Sequence, residues 1–281
     1  MPTIAVVLGV TAALAIGQGG PPPNDYVARM AKEHSNDTPV ASQATTTEPK
    51  APVSAETVTY ATVAGKPVTG YLARPKDARR NLPGIIVIHE WWGLNDNIRS
   101  MARRLAGEGY SALAVDLYGG HVATTPDAAR TLMEAAMSDT AAADSNLKQA
   151  YTFLTEKEGA KRVGVVGWCF GGTWSLNAAL LMPKKLDAAV IYYGHVITDP
   201  SRLKTLDMPI LGFFGSEDQG IPVATVLTFE KVMKQERRKA SVIVYKGAHH
   251  AFANPSGTHY EPAAAADAWR RTVEFFRIHL K

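Results

Sequence analysis

Val163-Gly-Val-Val-Gly-Trp-Cys-Phe-Gly-Gly172 is the stretch of this 281-residue chain that decides its fold. The apolar run over 163–168 predicts a buried β-strand, and the glycines around its end predict a sharp turn into a helix. The spacing G-x-C-x-G sets Cys169 between Gly167 and Gly171, which is the nucleophile elbow with cysteine in place of serine. Glycine suits both flanks because the turn brings neighbouring backbones too close for a Cβ atom. The following helix directs its N-terminus at the sulfur, where it favours a thiolate.

Two other interpretations of this stretch compete with a nucleophile. A phosphate-binding loop is excluded, because the glycines at 164, 167, 171 and 172 match neither G-x-G-x-x-G nor a loop ending in G-K-[ST]. A buried cysteine that acts only as a small hydrophobic residue stays open from the stretch alone.

Strands and helices alternate on both sides of the elbow. The chain begins this pattern with a predicted antiparallel hairpin, whose strands cover 57–63 and 68–74. Further strands are predicted at 84–90, 111–116, 163–168, 188–193, 209–215 and 240–245, and helices at 95–108, 126–137, 140–158, 171–182, 222–236 and 261–280. The order predicts an α/β fold with an open, mostly parallel sheet and helices on both faces. In such sheets ligands bind at the carboxyl ends of the strands.

Composition and charge narrow the function classes. With 46% hydrophobic and 20% charged residues, the chain can bury one large core or two modest ones. Its net charge is +4, but the basic residues fall in scattered pairs at the ends of predicted elements, which indicates solvated ends and excludes a nucleic-acid-binding stripe. The single cysteine excludes an internal disulfide.

The N-terminal region differs from the rest of the chain. The apolar run over 4–16 is too short to span a bilayer, and it predicts a signal peptide over 1–17 and export to the periplasm or outside the cell. No basic residue precedes the run, and a cytoplasmic location follows if it is not a functional signal. No stable membrane span is expected after its removal. Residues 18–55 are rich in Pro, Gly, Ser, Thr and Ala, with one helical patch over 26–33, and predict a flexible tether before a catalytic domain at 56–281.

Two further residues complete the chemistry that a cysteine nucleophile needs. Asp218 follows the predicted strand at 209–215, and the adjacent histidines His249 and His250 follow the strand at 240–245. Singly, an aspartate there can cap a helix, and a loop histidine more often faces solvent. Together, a nucleophile, an acid and a histidine in this chain order, each just past a strand end, predict a catalytic triad.

Five motifs in order resemble the dienelactone hydrolase family, which has an α/β-hydrolase fold, and they cover about residues 57–281. They are His89-Glu-Trp-Trp-Gly93, Val115-Asp-Leu-Tyr118, the elbow at 167–172, Gly215-x-x-Asp218 and Tyr245-x-Gly-Ala-x-His250-x-Phe252. The resemblance implies a triad of Cys169, Asp218 and His250, and it selects His250 over its neighbour His249.

The resemblance implies two more roles. The backbone N–H groups of Phe170 and Trp91 would form an oxyanion hole, and the carboxylate of Glu90 would modulate the thiol. The pair His89-Glu90 is not a zinc-binding helix motif, because glycine occupies position 93, where H-E-x-x-H requires histidine.

The chain departs from the family pattern at the residues that bind the substrate carboxylate. The founding enzymes hold a substrate carboxylate with two arginines, but the corresponding stretches here, 118–121 and 252–255, contain none. Without that bidentate contact a neutral ester or lactone is the expected small-molecule substrate. Aromatic residues near the strand ends are the candidates for the substrate pocket: Trp92, Tyr118, His121 and Tyr193.

These observations predict an esterase or lactonase that forms a thioester acyl-enzyme. No metal or organic cofactor is implied, and a monomer or weak dimer is expected. The alternative is an envelope protein on a hydrolase scaffold that senses oxidants or binds ligands through Cys169, with incidental turnover. An intact acid and histidine argue against a sensor, which needs neither.

Overall fold

A computed structural model describes residues 25–38, 47–77 and 81–281 of the chain. The helices are α1 (Tyr26–Glu33), α2 (Asp96–Gly107), α3 (Pro126–Ser138), α4 (Thr140–Thr152), α5 (Phe170–Leu181), α6 (Pro200–Leu203), α7 (Val223–Gln235) and α8 (Pro262–Leu280). The strands are β1 (Val53–Val63), β2 (Lys66–Pro75), β3 (Gly84–Ile88), β4 (Ser111–Val115), β5 (Val163–Trp168), β6 (Ala188–Tyr192), β7 (Ile210–Gly215) and β8 (Ala240–Tyr245). A π-helical turn, Phe153–Lys157, extends α4.

The strands of the described residues form one eight-stranded sheet in the order β1-β2-β4-β3-β5-β6-β7-β8. β1 pairs antiparallel with β2, and β2 pairs antiparallel with β4. The pairs from β4 through β8 are all parallel. The predicted fold class, a mostly parallel sheet with an N-terminal antiparallel hairpin, is confirmed.

Apolar strands explain the position of the core. β3, β4, β5, β6 and β7 are buried along their whole length, as expected of parallel strands that are covered on both faces. β8 lies at the edge of the sheet and is only half-buried. Because the parallel strands share one direction, their carboxyl ends lie together at one end of the sheet. The residues that follow β3, β5, β7 and β8 therefore meet there, and the predicted site residues are among them.

Part of the region that was predicted as a flexible tether, 18–55, is ordered and packed in the structure. The helix predicted at 26–33 forms, but Tyr26 and Met30 on one of its faces are fully buried against the core. β1 begins at Val53, also inside the predicted tether. The physical reason is that Tyr26, Met30 and His34 recur at helical spacing, so a short helix can bury them together. The predicted signal peptide at 1–17, and the parts of the predicted tether at 18–24 and 39–46, lie outside the described residues.

In the part of the chain that the structure describes, we find no helix with the length and apolarity needed to span a membrane.

Candidate active site

Cys169 lies at the turn between β5 and α5 with φ 55° and ψ −117°, a strained conformation for a residue with a side chain. A Cβ atom on Gly167 would overlap the backbone of Gly171, and a Cβ atom on Gly171 would overlap the carbonyls of Ile88 and His89. The two glycines therefore allow α5 to start directly against the end of β3. This contact brings the residues after β3 next to the sulfur.

His250 and Asp218 form a buried pair at the ends of β8 and β7. His250 Nδ1 lies 2.8 Å from Asp218 Oδ2, and both side chains are excluded from solvent. The other carboxylate oxygen accepts hydrogen bonds from the amides of Gly220, at 2.9 Å, and Ile221, at 2.8 Å. Because the carboxylate is held in this way, it fixes the imidazole ring, whose Nε2 has no hydrogen-bond partner among the described residues. The ligand atoms of His250 and Cys169 lie within 4.8 Å of each other.

A second histidine, which the sequence did not predict, contacts the thiol. His34, just after α1, places Nε2 3.5 Å from Cys169 Sγ. Its Nδ1 lies 2.8 Å from Asp37 Oδ2, and Asp37 Oδ1 in turn accepts hydrogen bonds from the amide of Thr258 at 2.9 Å and its hydroxyl at 2.6 Å. The pair His34–Asp37 therefore has the same bonding pattern as the pair His250–Asp218.

The charges around the sulfur favour a thiolate. Burial opposes ionisation, but the positive charge of the nearby His250 and the contact with His34 lower the pKa of Cys169 to about 6. Burial opposes the charged form of both histidines. The negative charges of Asp218 and Cys169 nevertheless raise the pKa of His250 well above its ordinary value. Hydrogen bonds to Asp37 and Cys169 raise the pKa of His34 to about 9.

The segment 25–38 covers the thiol. Met30 Sδ lies 3.7 Å from Cys169 Sγ, and the ring of His34 stacks on that of Trp91 with centroids 4.5 Å apart. Tyr26 donates or accepts a 2.8 Å hydrogen bond at the hydroxyl of Thr173 on α5. Consequently Cys169 is 0% exposed, and the sulfur has no open path to solvent in this arrangement.

Glu90 is a buried carboxylate beside this cluster. It accepts hydrogen bonds from Tyr193 Oη at 3.1 Å and Asn254 Nδ2 at 2.8 Å. Burial and the negative charge of Cys169 raise the pKa of Glu90 to about 7, although the cationic histidines partly oppose this. The carboxyl group therefore changes charge near neutral pH.

The two residues predicted to supply the oxyanion donors follow the elbow and β3, respectively. Phe170 is the first residue of α5, directly after Cys169. Trp91 follows Glu90 at the end of β3, is fully buried and contacts His34 from the covering segment.

Among the predicted pocket residues, Tyr193 packs against the His250–Asp218 pair, with its ring 5.1 Å from that of His250. Trp92 is buried and contacts the ring of Trp91. Tyr118 is buried below the elbow, where it packs on Phe170. His121 is exposed, and no contact joins its side chain to the triad residues.

The site residues that the sequence analysis missed come from two places. Met30, His34 and Asp37 were assigned to the tether, although their helical spacing could have indicated a buried face. Asn254 and Thr258 lie in the loop after the triad histidine, and no sequence pattern distinguishes them.

His89 links the segments that follow β3 and β4. Its Nε2 accepts a 3.1 Å hydrogen bond from the amide of Leu117, and its Nδ1 lies 2.6 Å from the carbonyl of Glu90. The residue follows β3, as expected, and does not lie on a helix.

Comparisons with known proteins show the family of this chain. Residues 68–280 match the model of the dienelactone hydrolase family. "Protein usf" of Aquifex pyrophilus is 36% identical over 223 residues, which cover 77% of this chain and 95% of that protein. A protein of Aquifex aeolicus strain VF5, named "Putative carboxymethylenebutenolidase", is 33% identical over 227 residues, which cover 77% of this chain and 96% of that one.

A solved structure extends the similarity to three dimensions. The crystal structure titled "Putative Dienelactone Hydrolase" from Klebsiella pneumoniae superposes with a TM-score of 0.72 at 30% identity, covering 80% of this chain and 98% of that one. The family match spans most of the chain and contains the elbow, the acid and the histidine. The chain therefore belongs to the dienelactone hydrolase family.

Proposed function

We propose that this chain hydrolyses small carboxylic esters or lactones, with Cys169 as the nucleophile and His250 and Asp218 as the base and its orienting acid. One observation carries the proposal. A strained elbow presents a thiol beside an imidazole whose Nδ1 is held by a carboxylate, at 2.8 Å, and whose Nε2 is free of other partners among the described residues. The names of the relatives support the same reaction class.

The reaction begins with attack of the Cys169 thiolate on the ester carbonyl. The backbone N–H groups of Phe170 and Trp91 stabilise the oxyanion. Phe170 directly follows the nucleophile at the elbow, and Trp91 lies just after the end of β3. His250 gives a proton to the leaving alcohol, and a thioester acyl-enzyme remains. Water then attacks the thioester while His250 accepts its proton, and the acid and free thiolate are released.

A neutral substrate fits the charges of the site better than an anionic one. The family's two substrate-binding arginines have no counterparts in 118–121 and 252–255. Glu90 carries negative charge above its pKa of about 7, and it would repel a substrate carboxylate in this buried site. The proposed substrate is therefore an uncharged ester or lactone.

Turnover requires movement of the covering segment 25–38. Met30 and His34 lie 3.7 and 3.5 Å from the sulfur, where the acyl group of a substrate must sit. Substrate entry therefore displaces these two side chains. Asp218 and His250 do not need to move, because they follow the carboxyl ends of β7 and β8 and do not belong to the covering segment.

Steady-state hydrolysis of a short-chain p-nitrophenyl ester by the full chain tests the proposal. We expect many turnovers, which Cys169→Ala and pretreatment with iodoacetamide abolish. His249→Ala is the matched control, since this neighbouring histidine stacks on His259 and not on the thiol. A single burst of product, or activity that is indifferent to Cys169→Ala, would reject the triad and favour a thiol sensor or binding protein.

A further inference from the structure

Three buried side chains each direct an atom that can bind a metal toward one point. Cys169, His34 and His250 each offer one ligand atom, and the three atoms lie within 4.8 Å of one another. All three side chains are essentially excluded from solvent, and Nε2 of His250 has no hydrogen-bond partner among the described residues. The sulfur of Met30 lies 3.7 Å from that of Cys169 and adds a fourth soft donor atom.

Both imidazoles are oriented as metal-binding histidines usually are. In each, Nδ1 bonds a carboxylate at 2.8 Å, Asp37 for His34 and Asp218 for His250, which turns Nε2 toward the sulfur. Such carboxylate–histidine pairs fix the ring and increase the basicity of the ligating nitrogen. Hydrolysis by the proposed triad needs only one of these pairs, and no proton-transfer step uses the pair His34–Asp37.

The distances suit a small tetrahedral or trigonal ion. Ligands at about 2.0–2.3 Å from a metal, one nitrogen and one sulfur, are separated by about 3.5 Å in tetrahedral geometry. The separation of His34 Nε2 and Cys169 Sγ is 3.5 Å. The widest pair of the three, at up to 4.8 Å, would close by roughly 1 Å on binding.

We propose that Cys169, His34 and His250 bind a soft metal ion, with Met30 as a weak fourth ligand, and that monovalent copper is the ion that fits best. Two imidazoles, one thiolate and one thioether form the donor set that proteins use for copper. Magnesium and calcium are excluded, because both require oxygen ligands.

Metal binding and ester hydrolysis exclude each other at this site. The ion would occupy the nucleophile and the lone pair of its base, and would hold the segment 25–38 in place through Met30 and His34. Metal release would free the thiol and the segment together. The inference uses side chains of the proposed triad, but it does not depend on turnover.

A titration of the metal-free full chain with monovalent copper tests the proposal. The titration is performed without oxygen, in competition with the chromophoric chelator bicinchoninate. We expect one equivalent to bind, and we expect His34→Ala and Cys169→Ala to weaken binding at least 100-fold. Asp37→Asn should weaken it about 10–100-fold, as for other residues that orient a ligand. His249→Ala should bind as the wild type does, and circular dichroism checks that each variant is folded.

Two results would overturn the metal site. Either the wild type binds copper no more tightly than Cys169→Ala, or His34→Ala binds it as tightly as the wild type. Because binding is measured without ester, an inactive hydrolase would leave the outcome unchanged. Conversely, a chain that hydrolyses esters but does not bind copper would keep the proposed function and reject this inference.

Discussion

His34 Nε2 lies 3.5 Å from Cys169 Sγ, although the two residues are 135 positions apart in the chain. The contact makes the N-terminal segment part of the candidate active site. Access of substrate or reagents to the thiol therefore depends on how stably α1 packs against the rest of the protein. Tyr26, which is fully buried and hydrogen-bonded to Thr173, is one of the residues that anchor it.

Removing that anchor should expose the thiol. Tyr26→Ala deletes a buried aromatic side chain, a change that costs about 3–5 kcal/mol in a core, and a short helix has few other contacts to compensate. We expect iodoacetamide to alkylate Cys169 roughly 100-fold faster than in the wild type, as followed by mass spectrometry. Lys32→Ala, an exposed position on the same helix, should leave the rate unchanged. Equal rates in the wild type and Tyr26→Ala would show that the segment does not restrict access.

Glu90 should make the stability of the protein depend on pH. Its pKa is raised from 4.5 to about 7, so the folded state holds a proton that the unfolded state has released between these values. The wild type therefore loses stability as pH rises through this window. Glu90→Gln, which resembles the protonated acid, should be more stable than the wild type at pH 8, by roughly 3 kcal/mol at 1.36 kcal/mol per pKa unit.

Urea unfolding at pH 8 and near pH 4 measures this difference. At the lower pH both proteins are uncharged at position 90, and their free energies of unfolding should agree. Glu217→Gln, at an exposed position, should show no such pH-dependent difference. A Glu90→Gln variant that is less stable than the wild type at pH 8 would contradict the assigned burial and charge.

Gly171 should tolerate no side chain. A Cβ atom there would overlap the carbonyls of Ile88 and His89, which are backbone atoms and cannot rotate away. Gly171→Ala should destabilise the protein by about 3 kcal/mol or more, at the upper end for overpacked sites, as measured by thermal unfolding. Gly257→Ala is the control, since its nearest neighbours are at 3.5 Å. A Gly171→Ala protein with wild-type stability would mean that α5 does not start against β3.

Asp218 should matter for catalysis more than for folding. Asn at this position keeps an oxygen for the amides of Gly220 and Ile221, but it cannot balance a cationic His250. We expect Asp218→Asn to lower kcat/KM for a p-nitrophenyl ester roughly 1,000-fold or more. Asp207→Asn, at an exposed ion pair with Arg238, should have no effect. Retained activity in Asp218→Asn would remove the acid from the mechanism.

Strong local patterns predicted most of the fold. The buried strands are continuous apolar runs, and the helix over 95–108 was found as Asp96–Gly107, capped by the side chain of Asn95. For the last helix, periodicity alone does not determine which residues are buried. The buried residues are Ala268, Thr272, Phe276 and Leu280. The neighbouring ring of Trp269 packs against the guanidinium group of Arg104.

Only those candidate site residues that directly follow a strand could be predicted from the sequence. Cys169, Asp218 and His250 have that position, and the structure brings them together. His34 and Asp37 do not, because their role depends on α1 folding back onto a distant edge of the sheet, which no local pattern specifies. His121 was nominated from its position after a strand, but the loop turns it to the surface.

Trapping the acyl-enzyme tests most directly whether Cys169 is the nucleophile of an ester hydrolase. We would quench the wild type and Asp218→Asn with acid during turnover of p-nitrophenyl acetate and map the modified peptide by mass spectrometry. We predict one acetyl group on Cys169, labile to hydroxylamine, which disappears as the ester is consumed. Product formation with no acetyl group on Cys169, or with the group on another residue, would contradict it.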